Sequence, residues 1–439
     1  MIVHDAFEEL TVLSLEFRKL TVYLFINDCE ELQMWNKTPF ETARQIVLNA
    51  AVPVDTEQIP LEEACGRILA QDIVAAEDVP PFDRSPYDGY AFRSEDTAGA
   101  DRERPVCLSI LEEVPAGKVP SMSVTAGTAV KVLTGSPIPP GADAVIMYEK
   151  TEFTAESVKI FAPVRSGANI IYAGEDVKRG MMLAHVGTGI DAGLCGTAAS
   201  QNMDRISVFR KPVAGIISTG SELLEAGQAP SPGKVVNTNR YTLSAELVRM
   251  GFEVLYLGIA GDSEEEICEF LLKGIEACDV IMTTGGVSVG DYDLTVKAME
   301  RAGIRILLHG VDMKPGMACA YGEKDGKLIC ALSGNPASSL VSLHAVAAPA
   351  LRKILGLSSK LWLPEEIMVE IVEGFRKPSP SLRFLRGKLD LETGTVRMHV
   401  GRGQGNVVLS GSIGTDVMAM VPAGSGPIEP GTRLQAFLL

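Results

Sequence analysis

The spacing of apolar and polar residues changes several times along the chain, and each change predicts a different kind of structure. Between residues 38 and 72, the stretches "PFETARQIVLNAA" and "LEEACGRILAQDI" place apolar residues three and four apart, which predicts helices. From about 104 to 163, short apolar runs such as "AVKVLTG" and "SVKIFAPV" alternate with glycine and proline turns. That pattern predicts a small β-rich module.

A second pattern begins at residue 208 and continues to 357. Four apolar runs, "PVAGIIS", "FEVLYLGI", "DVIMTTGG" and "LICALSG", alternate with stretches of helical spacing such as "SEEEICEFLLKGIEAC". Strands that are apolar throughout must be covered on both faces, so this alternation predicts a parallel sheet in an α/β domain. The tail from about 364 is β-like and rich in glycine, which predicts a small barrel or sandwich.

Together these segments predict a multidomain protein of the α/β plus β class. A short helix, "GLCGTAAS", is expected within 168–205 and should pack back on the first helices. The expected units are an N-terminal extension (1–34), a discontinuous helical and extended linking domain (35–75 and 166–207), a β-rich lid module (76–165), a central parallel-sheet α/β domain (208–357) and a C-terminal β-barrel-like domain (362–439).

Charge and cysteine usage exclude several classes of protein. The formal net charge of −16 argues against binding of nucleic-acid backbones, although a small anionic ligand stays compatible if a cation offsets the charge. The eight cysteines are scattered singly, which predicts reduced thiols in a cytoplasmic protein. No apolar run reaches the roughly 18 residues of a membrane span. Residues 1–33 lack the basic start and cleavage site of a signal peptide.

Three of the predicted strands end in glycine-containing loops, "IISTGSEL" (216–223), "IMTTGGVSVGDYD" (281–293) and "LSGNPASS" (332–339). Ligands of open α/β sheets bind beyond the carboxyl ends of the strands, where glycine lets backbone N–H groups approach phosphate oxygens. The three loops therefore predict one composite anion pocket, although each taken singly is equally compatible with an ordinary turn. The chain has no G-x-G-x-x-G after a first strand and no P-loop, which excludes a standard NAD enzyme or P-loop kinase.

Acidic residues stand beside these loops, among them Glu222, Asp262, Asp291 and, in "AGEDV", Asp176. Carboxylates near phosphate repel it unless a hard cation such as Mg²⁺ lies between them. Helix capping explains Asp262 and Asp291 at least as well. Lys314 in "DMKPGMACAYG" is a candidate point charge for a phosphate or oxyanion, and a solvated lysine is the alternative.

Eight stretches, in this order, resemble the MoeA family of molybdopterin molybdenumtransferases, whose eukaryotic relatives include the gephyrin E domain. The resemblance covers roughly residues 36–439. Eight ordered motifs are specific, whereas any one alone is weak. The matching stretches are "PPFDRSPYDGYAF", "LTGSPIPPGADAVIM", "GANIIYAGEDV", "STGSEL", "NTNRYTL", "TTGGVSVGDYD", "KPGMACAYG" and "LSGNPASS".

This resemblance implies an elongated four-domain protein, usually a homodimer, whose central domain has the molybdopterin-binding fold. The implied reaction takes adenylylated molybdopterin and molybdate, releases AMP with the help of Mg²⁺, and inserts molybdenum at the dithiolene. It places the site between the α/β domain of one subunit and the β-rich module of the other. The implied partners are these small molecules, a second copy of the chain and, transiently, other molybdenum-cofactor proteins, with no nucleic acid and no membrane.

The resemblance also assigns residues by motif. It implies catalytic roles for Asp88, Thr134, Asp176, Glu222, Asp262 and Lys314. It implies metal ligation by Glu222, Asn237 and Asp262. The pterin and phosphate pocket would be formed by Ser218, Thr219, Gly220, Asn237, Gly285, Gly286, Ser288, Gly290, Asp291, Ser333, Gly334, Asn335 and Ser338.

Several positions depart from the family pattern. Asn237 replaces the expected aspartate of "DTN", and Gly310 and Met317 stand where the family often has lysines near Lys314. Each lost charge removes a charge-assisted hydrogen bond of about 1.5–3 kcal/mol. A slowed enzyme, a preference for tungstate, or a paralogue that binds molybdopterin in a scaffolding role all stay open alternatives.

Overall fold

The computed structural model describes residues 37–287, 294–391, 396–401 and 403–439. The N-terminal half of this part of the chain contains one six-stranded sheet and two small two-stranded sheets. Strands β6-β3-β5-β4-β8-β7 form the six-stranded sheet, while β1 pairs with β10 and β2 with β9. In chain order these are β1 (Thr56–Pro60), β2 (Ile73–Val74), β3 (Gly89–Phe92), β4 (Val106–Val114), β5 (Thr128–Val132), β6 (Ala144–Met147), β7 (Thr151–Phe153), β8 (Ser157–Ile160), β9 (Met182–Ala184) and β10 (Arg205–Phe209).

The central α/β sheet has the order β14-β11-β15-β19-β18-β16. All four predicted strands are present as β11, β14, β15 and β19, and they run parallel. The sheet is mixed because β18 runs antiparallel between β19 and β16. Strands β18 and β19 form a hairpin, and the turn between them, Asp325-Gly326, has positive φ angles at both residues. The strands of this part of the chain are β11 (Val213–Thr219), β12 (Leu223–Leu224), β13 (Val235–Val236), β14 (Glu253–Ala260), β15 (Val280–Thr284), β16 (Arg305–His309), β17 (Met313–Lys314), β18 (Ala320–Lys324) and β19 (Lys327–Leu332). Of these, β12 and β13 form a separate two-stranded sheet, and β17 pairs with the C-terminal segment.

The C-terminal segment closes into a five-stranded barrel, as predicted for the β-barrel-like domain. Closure follows from the order β21-β22-β20-β24-β23, because β23 also pairs with β21. The short strand β17 of the α/β unit adds to the barrel by parallel pairing with β21. The barrel strands are β20 (Glu366–Ile371), β21 (Leu382–Asp390), β22 (Arg397–Val400), β23 (Val417–Val421) and β24 (Arg433–Leu438).

Helices cover both faces of the central sheet. The last of them is continuous from 336 to 354, with a π-helical segment, Leu343–Ala347, in its middle. The α-helices are α1 (Phe40–Ala50), α2 (Ala192–Ser200), α3 (Thr238–Met250), α4 (Glu264–Ala277), α5 (Leu294–Arg301), α6 (Pro336–Ser342) and α7 (Ala348–Ile354). Within the described ranges, no helix combines the length and apolarity needed to cross a bilayer.

One prediction about the first helices needs correction. The stretch "LEEACGRILAQDI" is not an α-helix: it holds only a 3-10 turn, Leu61–Glu63, because Gly66 has a φ of +80° that an α-helix cannot contain. Helix α2 packs on this second stretch, in a cluster with Leu61 and Leu69, as predicted, and the cluster contains no described residue of α1. The predicted domain boundaries stay a prediction.

Helix α1 joins the α/β unit to the barrel through one hydrophobic core. Phe40 and Val47 are buried in the same cluster as the sheet residues and the barrel residues Phe384 and Phe437. The rings of Phe40 and Phe384 meet edge to face at 5.2 Å between centroids. The beginning of α1 is therefore fixed against the face where barrel and sheet meet.

Candidate functional site

The three predicted glycine loops do converge at one edge of the central sheet. Strands β11, β15 and β19 are parallel neighbours, so their carboxyl ends lie side by side. The Thr219 hydroxyl donates to the Thr284 carbonyl at 2.9 Å, and the Gly285 N–H donates to the Leu332 carbonyl at 3.1 Å. Gly285, at a φ of +96°, has no room for a Cβ, which would lie 2.4 Å from the Thr219 carbonyl oxygen.

A cavity of about 570 Å³ opens between these loops, and we call it the acidic cavity because Glu222 and Asp262 line it. Ten residues predicted for the site lie in its wall. The full lining is Thr219, Gly220, Glu222, Leu223, Val235, Val236, Asn237, Thr238, Asn239, Asp262, Thr284, Gly285, Gly286, Val287, Ala318, Ser333, Gly334, Asn335, Pro336 and Val407.

A second cavity of about 300 Å³ adjoins the first, and we call it the cationic cavity. The two share Ala318, Ser333 and Asn335 in their walls. Two lysines line the cationic cavity, and within the described part of the chain no aspartate or glutamate does. Its lining is Lys37, Met313, Lys314, Pro315, Gly316, Met317, Ala318, Ser333, Asn335, Ser338, Pro380, Ser381 and Asn406.

Glu222 is exposed on the loop after β11, next to Gly220. In this conformation the Glu222 carboxylate folds over Gly220, where a Cβ would lie 2.3 Å from Glu222 Oε2. Gly220 has a φ of +139°, which also favours glycine. The Glu222 carboxylate therefore lies in the wall of the acidic cavity, on a loop whose backbone conformation requires glycine at position 220.

Asp262 holds the same loop from the neighbouring strand. Its Oδ2 accepts hydrogen bonds from both the N–H (3.0 Å) and the hydroxyl (2.5 Å) of Ser221. The capping explanation for Asp262 is wrong, because Ser263 is the N-cap of α4 and accepts a hydrogen bond from the Glu266 N–H. Asp262 therefore fixes the loop that carries Glu222 and leaves its Oδ1 without a hydrogen bond from any described residue.

Asn237 is 1% exposed and lies in the wall of the acidic cavity. Its Oδ1 accepts from the Ser218 hydroxyl (3.2 Å) and, as N-cap of α3, from the Arg240 N–H (3.2 Å). Its Nδ2 donates to the hydroxyl oxygens of Ser218 (2.9 Å) and Tyr256 (3.1 Å). Both ends of the amide are engaged within the protein, which is the environment of a structural residue more than of a metal ligand.

The hydrogen-bond circuit continues from Tyr256 to the surface. The Tyr256 hydroxyl donates to Glu225 Oε1 at 2.7 Å, and the other oxygen of Glu225 accepts from Arg240. The Arg240 guanidinium also stacks 3.9 Å from the centroid of the Tyr256 ring. Burial, together with the hydrogen bond to Glu225, raises the pKa of Tyr256 to about 12. The hydroxyl therefore keeps its proton at neutral pH.

The oxygen ligands in the acidic cavity are suitable for a Mg²⁺ ion that is also coordinated by substrate phosphates. Mg²⁺ is commonly held by one or two carboxylates while substrate phosphates and water complete its octahedron. Glu222 and Asp262 supply such carboxylates, and one oxygen of Asp262 is not used by described residues. Among the described residues, no group of three or more His, Cys, Asp or Glu could hold a metal ion by itself.

Lys314 lies in the cationic cavity, on the two-residue strand β17. Parallel pairing with β21 sets Lys314 opposite Arg383 and ties this loop to the barrel. Ser338 is 3% exposed and lines the same cavity from α6. Ser218, in contrast, is fully buried behind Asn237 and does not reach either cavity lining.

The sequence patterns indicated none of the residues that the barrel contributes to the two cavities. Pro380, Ser381 and Asn406 line the cationic cavity, and Val407 lines the acidic cavity. All matching motifs end at residue 339, so no local pattern indicated these positions. Lys37 was also missed, because it precedes the first motif.

A buried arginine keeps the barrel loop in place. Arg386 is 0% exposed, and its guanidinium donates to the carbonyl oxygens of Val408 (3.1 Å) and Gly403 (3.2 Å) and to the Ser412 hydroxyl (2.6 Å). This loop, residues 403–412, also contacts the α/β unit, because the Asn406 carbonyl accepts a hydrogen bond from the Ala337 N–H at 3.1 Å.

Besides Ser218, three predicted residues of the described chain, Asp88, Thr134 and Asp176, do not line either cavity. Asp88 and Thr134 lie together because β3 and β5 are antiparallel neighbours, and Asp88 Oδ1 accepts from the N–H (2.7 Å) and hydroxyl (2.8 Å) of Thr134. These hydrogen bonds lower the pKa of Asp88, with the one from the backbone N–H contributing most. Asp176 is exposed on the loop that pairs with Val79. Ser288, Gly290 and Asp291 lie outside the described residues.

Comparison with known proteins gives the same assignment along nearly the whole chain. Residues 38–201 match the family described as "MoeA N-terminal region (domain I and II)", and residues 215–353 match "Probable molybdopterin binding domain". The chain is 33% identical to the molybdopterin molybdenumtransferase of Staphylococcus epidermidis, over 92% of this chain and 96% of that protein. It is 34% identical to the Bacillus subtilis protein of the same name, over 91% and 94% of the two chains.

A solved structure shares the fold. The molybdopterin biosynthesis moeA protein from Pyrococcus horikoshii OT3 superimposes with a TM-score of 0.79 at 32% identity, covering 92% of this chain and all of that one. The fold class predicted from the sequence is confirmed, with a mixed rather than purely parallel central sheet. The chain belongs to the MoeA family, the molybdopterin molybdenumtransferases.

Proposed function

We propose that this protein is a Mg²⁺-dependent molybdopterin molybdenumtransferase of molybdenum cofactor biosynthesis. It takes adenylylated molybdopterin and molybdate, releases AMP and inserts molybdenum at the dithiolene. The observation that carries the proposal is the pair of adjoining cavities, one bordered by carboxylates and the other by lysines, which share Ser333 and Asn335. A substrate with a pyrophosphate and a second, dianionic substrate need two such neighbouring environments.

The residues of the acidic cavity bind and orient the pyrophosphate. The glycine loops at 219–220, 285–286 and 333–334 let backbone N–H groups approach phosphate oxygens. Glu222 and Asp262 would hold Mg²⁺, which when bound neutralises charge on the phosphates. Asn237 positions these loops through Ser218 and α3.

The cationic cavity would bind the oxyanion through Lys314. Ammonium groups and neutral donors such as Ser338 and Asn335 attract a tetrahedral anion, and no described carboxylate in the wall opposes it. The shared wall at Ser333 keeps the two substrates next to each other. This proximity converts the reaction between them into an effectively intramolecular one.

We also propose that the protein acts as a homodimer. Asp88, Thr134 and Asp176 are exposed and line neither cavity of their own chain. A partner subunit that brings these residues to the acidic cavity would complete the site. The cysteines that the structure describes are free thiols, which supports our inference of a cytoplasmic location.

The test is AMP release from adenylylated molybdopterin in the presence of molybdate and Mg²⁺. Glu222→Gln and Asp262→Asn should each slow release about 10- to 100-fold, because each removes a charged ligand worth about 1.5–3 kcal/mol. The matched control is Glu276→Gln, an exposed carboxylate on α4 outside both cavities. Equal rates for all four proteins would contradict the proposal.

A second candidate function follows from Asn237. This neutral, fully engaged side chain stands where the resemblance implies a carboxylate, which favours a paralogue that binds molybdopterin or prefers tungstate. Tight binding of adenylylated molybdopterin without AMP release would support the scaffolding role. AMP release with tungstate but not with molybdate would support the altered preference.

A further inference from the structure

The cationic cavity contains a lysine that comes from outside every matched motif. Lys37 is exposed, precedes α1 and lines this cavity together with Lys314. Among the described residues, neither ammonium group donates a hydrogen bond or forms an ion pair. Two unpaired positive charges thus border one small cavity that contains no described carboxylate.

Backbone hydrogen bonds fix the position of Lys37 relative to Lys314. The next residue, Thr38, forms a parallel bridge with Val311. Its N–H donates to the Gly310 carbonyl at 3.0 Å, and its carbonyl accepts from the Asp312 N–H at 2.9 Å. An isolated parallel bridge therefore joins the segment that carries Lys37 to the loop that carries Lys314.

The loop itself contributes only one charge to the cavity. Met317 lines the cavity but is neutral, and Gly310 has a φ of +81°, a conformation that a residue with a side chain adopts only with strain. A second cationic side chain adds a further charge-assisted hydrogen bond and so strengthens the binding of a tetrahedral dianion. Lys37 is the other cation in the described wall of the cavity.

We propose that Lys37 is the second cationic residue of the oxyanion site and, with Lys314, binds molybdate. This inference rests on the proposed function, since it assigns the dianion to the cationic cavity. The two positive charges come from the loop at 310–317 and from the segment before α1, which the backbone bridge at Thr38 joins to that loop.

The test measures molybdate binding directly, by equilibrium dialysis with the full-length protein and no molybdopterin present. Lys37→Gln should weaken molybdate binding about 10- to 100-fold, as expected for loss of a charge-assisted hydrogen bond. Lys37→Arg should recover most of that loss. The control Lys360→Gln, at an exposed lysine outside the cavity, should bind as the unaltered protein does.

A rescue variant gives a readout that damage to folding cannot imitate. Met317→Lys in the Lys37→Gln background returns a charge to the same cavity from the other side, and it should restore tight molybdate binding. Unchanged binding by Lys37→Gln, or no molybdate binding by the unaltered protein, would overturn the assignment. Failure of the proposed function is a separate result, because it would appear as absence of AMP release while molybdate binding is measured without pterin.

Discussion

Replacing Asn237 with aspartate tests the hydrogen-bond circuit behind the acidic cavity. In the structure the Asn237 Nδ2 donates to the Tyr256 hydroxyl at 3.1 Å, and that hydroxyl donates its one proton to Glu225 at 2.7 Å. A carboxylate at position 237 cannot donate. The Tyr256 hydroxyl would then face two carboxylates with a single proton, because its pKa of about 12 keeps it neutral.

Two contributions set the size of the effect. Loss of the hydrogen bond from Nδ2 to Tyr256 removes about 1 kcal/mol, and the buried acceptors left without a donor add about 1–3 kcal/mol. We expect Asn237→Asp to lower the free energy of unfolding by about 2–4 kcal/mol at pH 8. Burial raises the pKa of a carboxyl group, so the loss should shrink as the pH falls and the new side chain regains a proton that it can donate.

Urea unfolding followed by circular dichroism at pH 8 and pH 5.5 measures both predictions. The matched control is Asn49→Asp on the exposed face of α1, where the side-chain oxygen only accepts a hydrogen bond from Gln45 at 2.7 Å. An Asn237→Asp variant as stable as the unaltered protein at pH 8 would refute the reasoning. A melting temperature that Mg²⁺ raises more in this variant than in the unaltered protein would instead support metal ligation at position 237.

Two further predictions concern the glycine loop and the π-helical segment. Gly285→Ala should lower the free energy of unfolding by about 2–4 kcal/mol, because strain at positive φ adds to a clash with the Thr219 carbonyl. Urea unfolding midpoints would measure this loss. Gly227→Ala, at a φ of +94° but in open space, should cost about 1 kcal/mol, so equal losses would contradict the clash. Burial lowers the pKa of His344 to about 4, whereas an unfolded histidine titrates near 6.5. The free energy of unfolding of the unaltered protein should therefore fall by up to about 3 kcal/mol as the pH falls from 6.5 to 4. Urea titrations at pH 7.5 and 4.5 measure this change, and His344→Asn should abolish it. The same pH dependence in both proteins would contradict the prediction.

The central strands were predictable because each is encoded by a continuous apolar run of the sequence. Four apolar runs of the right length gave β11, β14, β15 and β19, and the loops that follow three of them are neighbours once the strands are parallel. Strands β16 and β18 were not predicted as part of this sheet. The Asp325-Gly326 turn was the sequence feature that could have indicated the hairpin of β18 and β19.

The rest of the candidate site depends on contacts between distant parts of the chain. Nothing in the sequence near Ser381 or Asn406 indicates that the barrel closes against the loop of Lys314. Likewise, the motif "NTN" does not indicate that the Asn237 amide donates hydrogen bonds to Ser218 and Tyr256. Such pairings arise only after the domains pack, so periodicity and motif spacing do not predict them.

The aromatic contact between Phe40 and Phe384 has a practical meaning for studies of ligands. Helix α1, the central sheet and the barrel share one hydrophobic core. The α/β domain expressed alone would therefore expose apolar side chains and lack the barrel residues that line the acidic cavity and the cationic cavity. Inhibitor screens or soaking trials with such a fragment would sample a different surface from that of the intact protein.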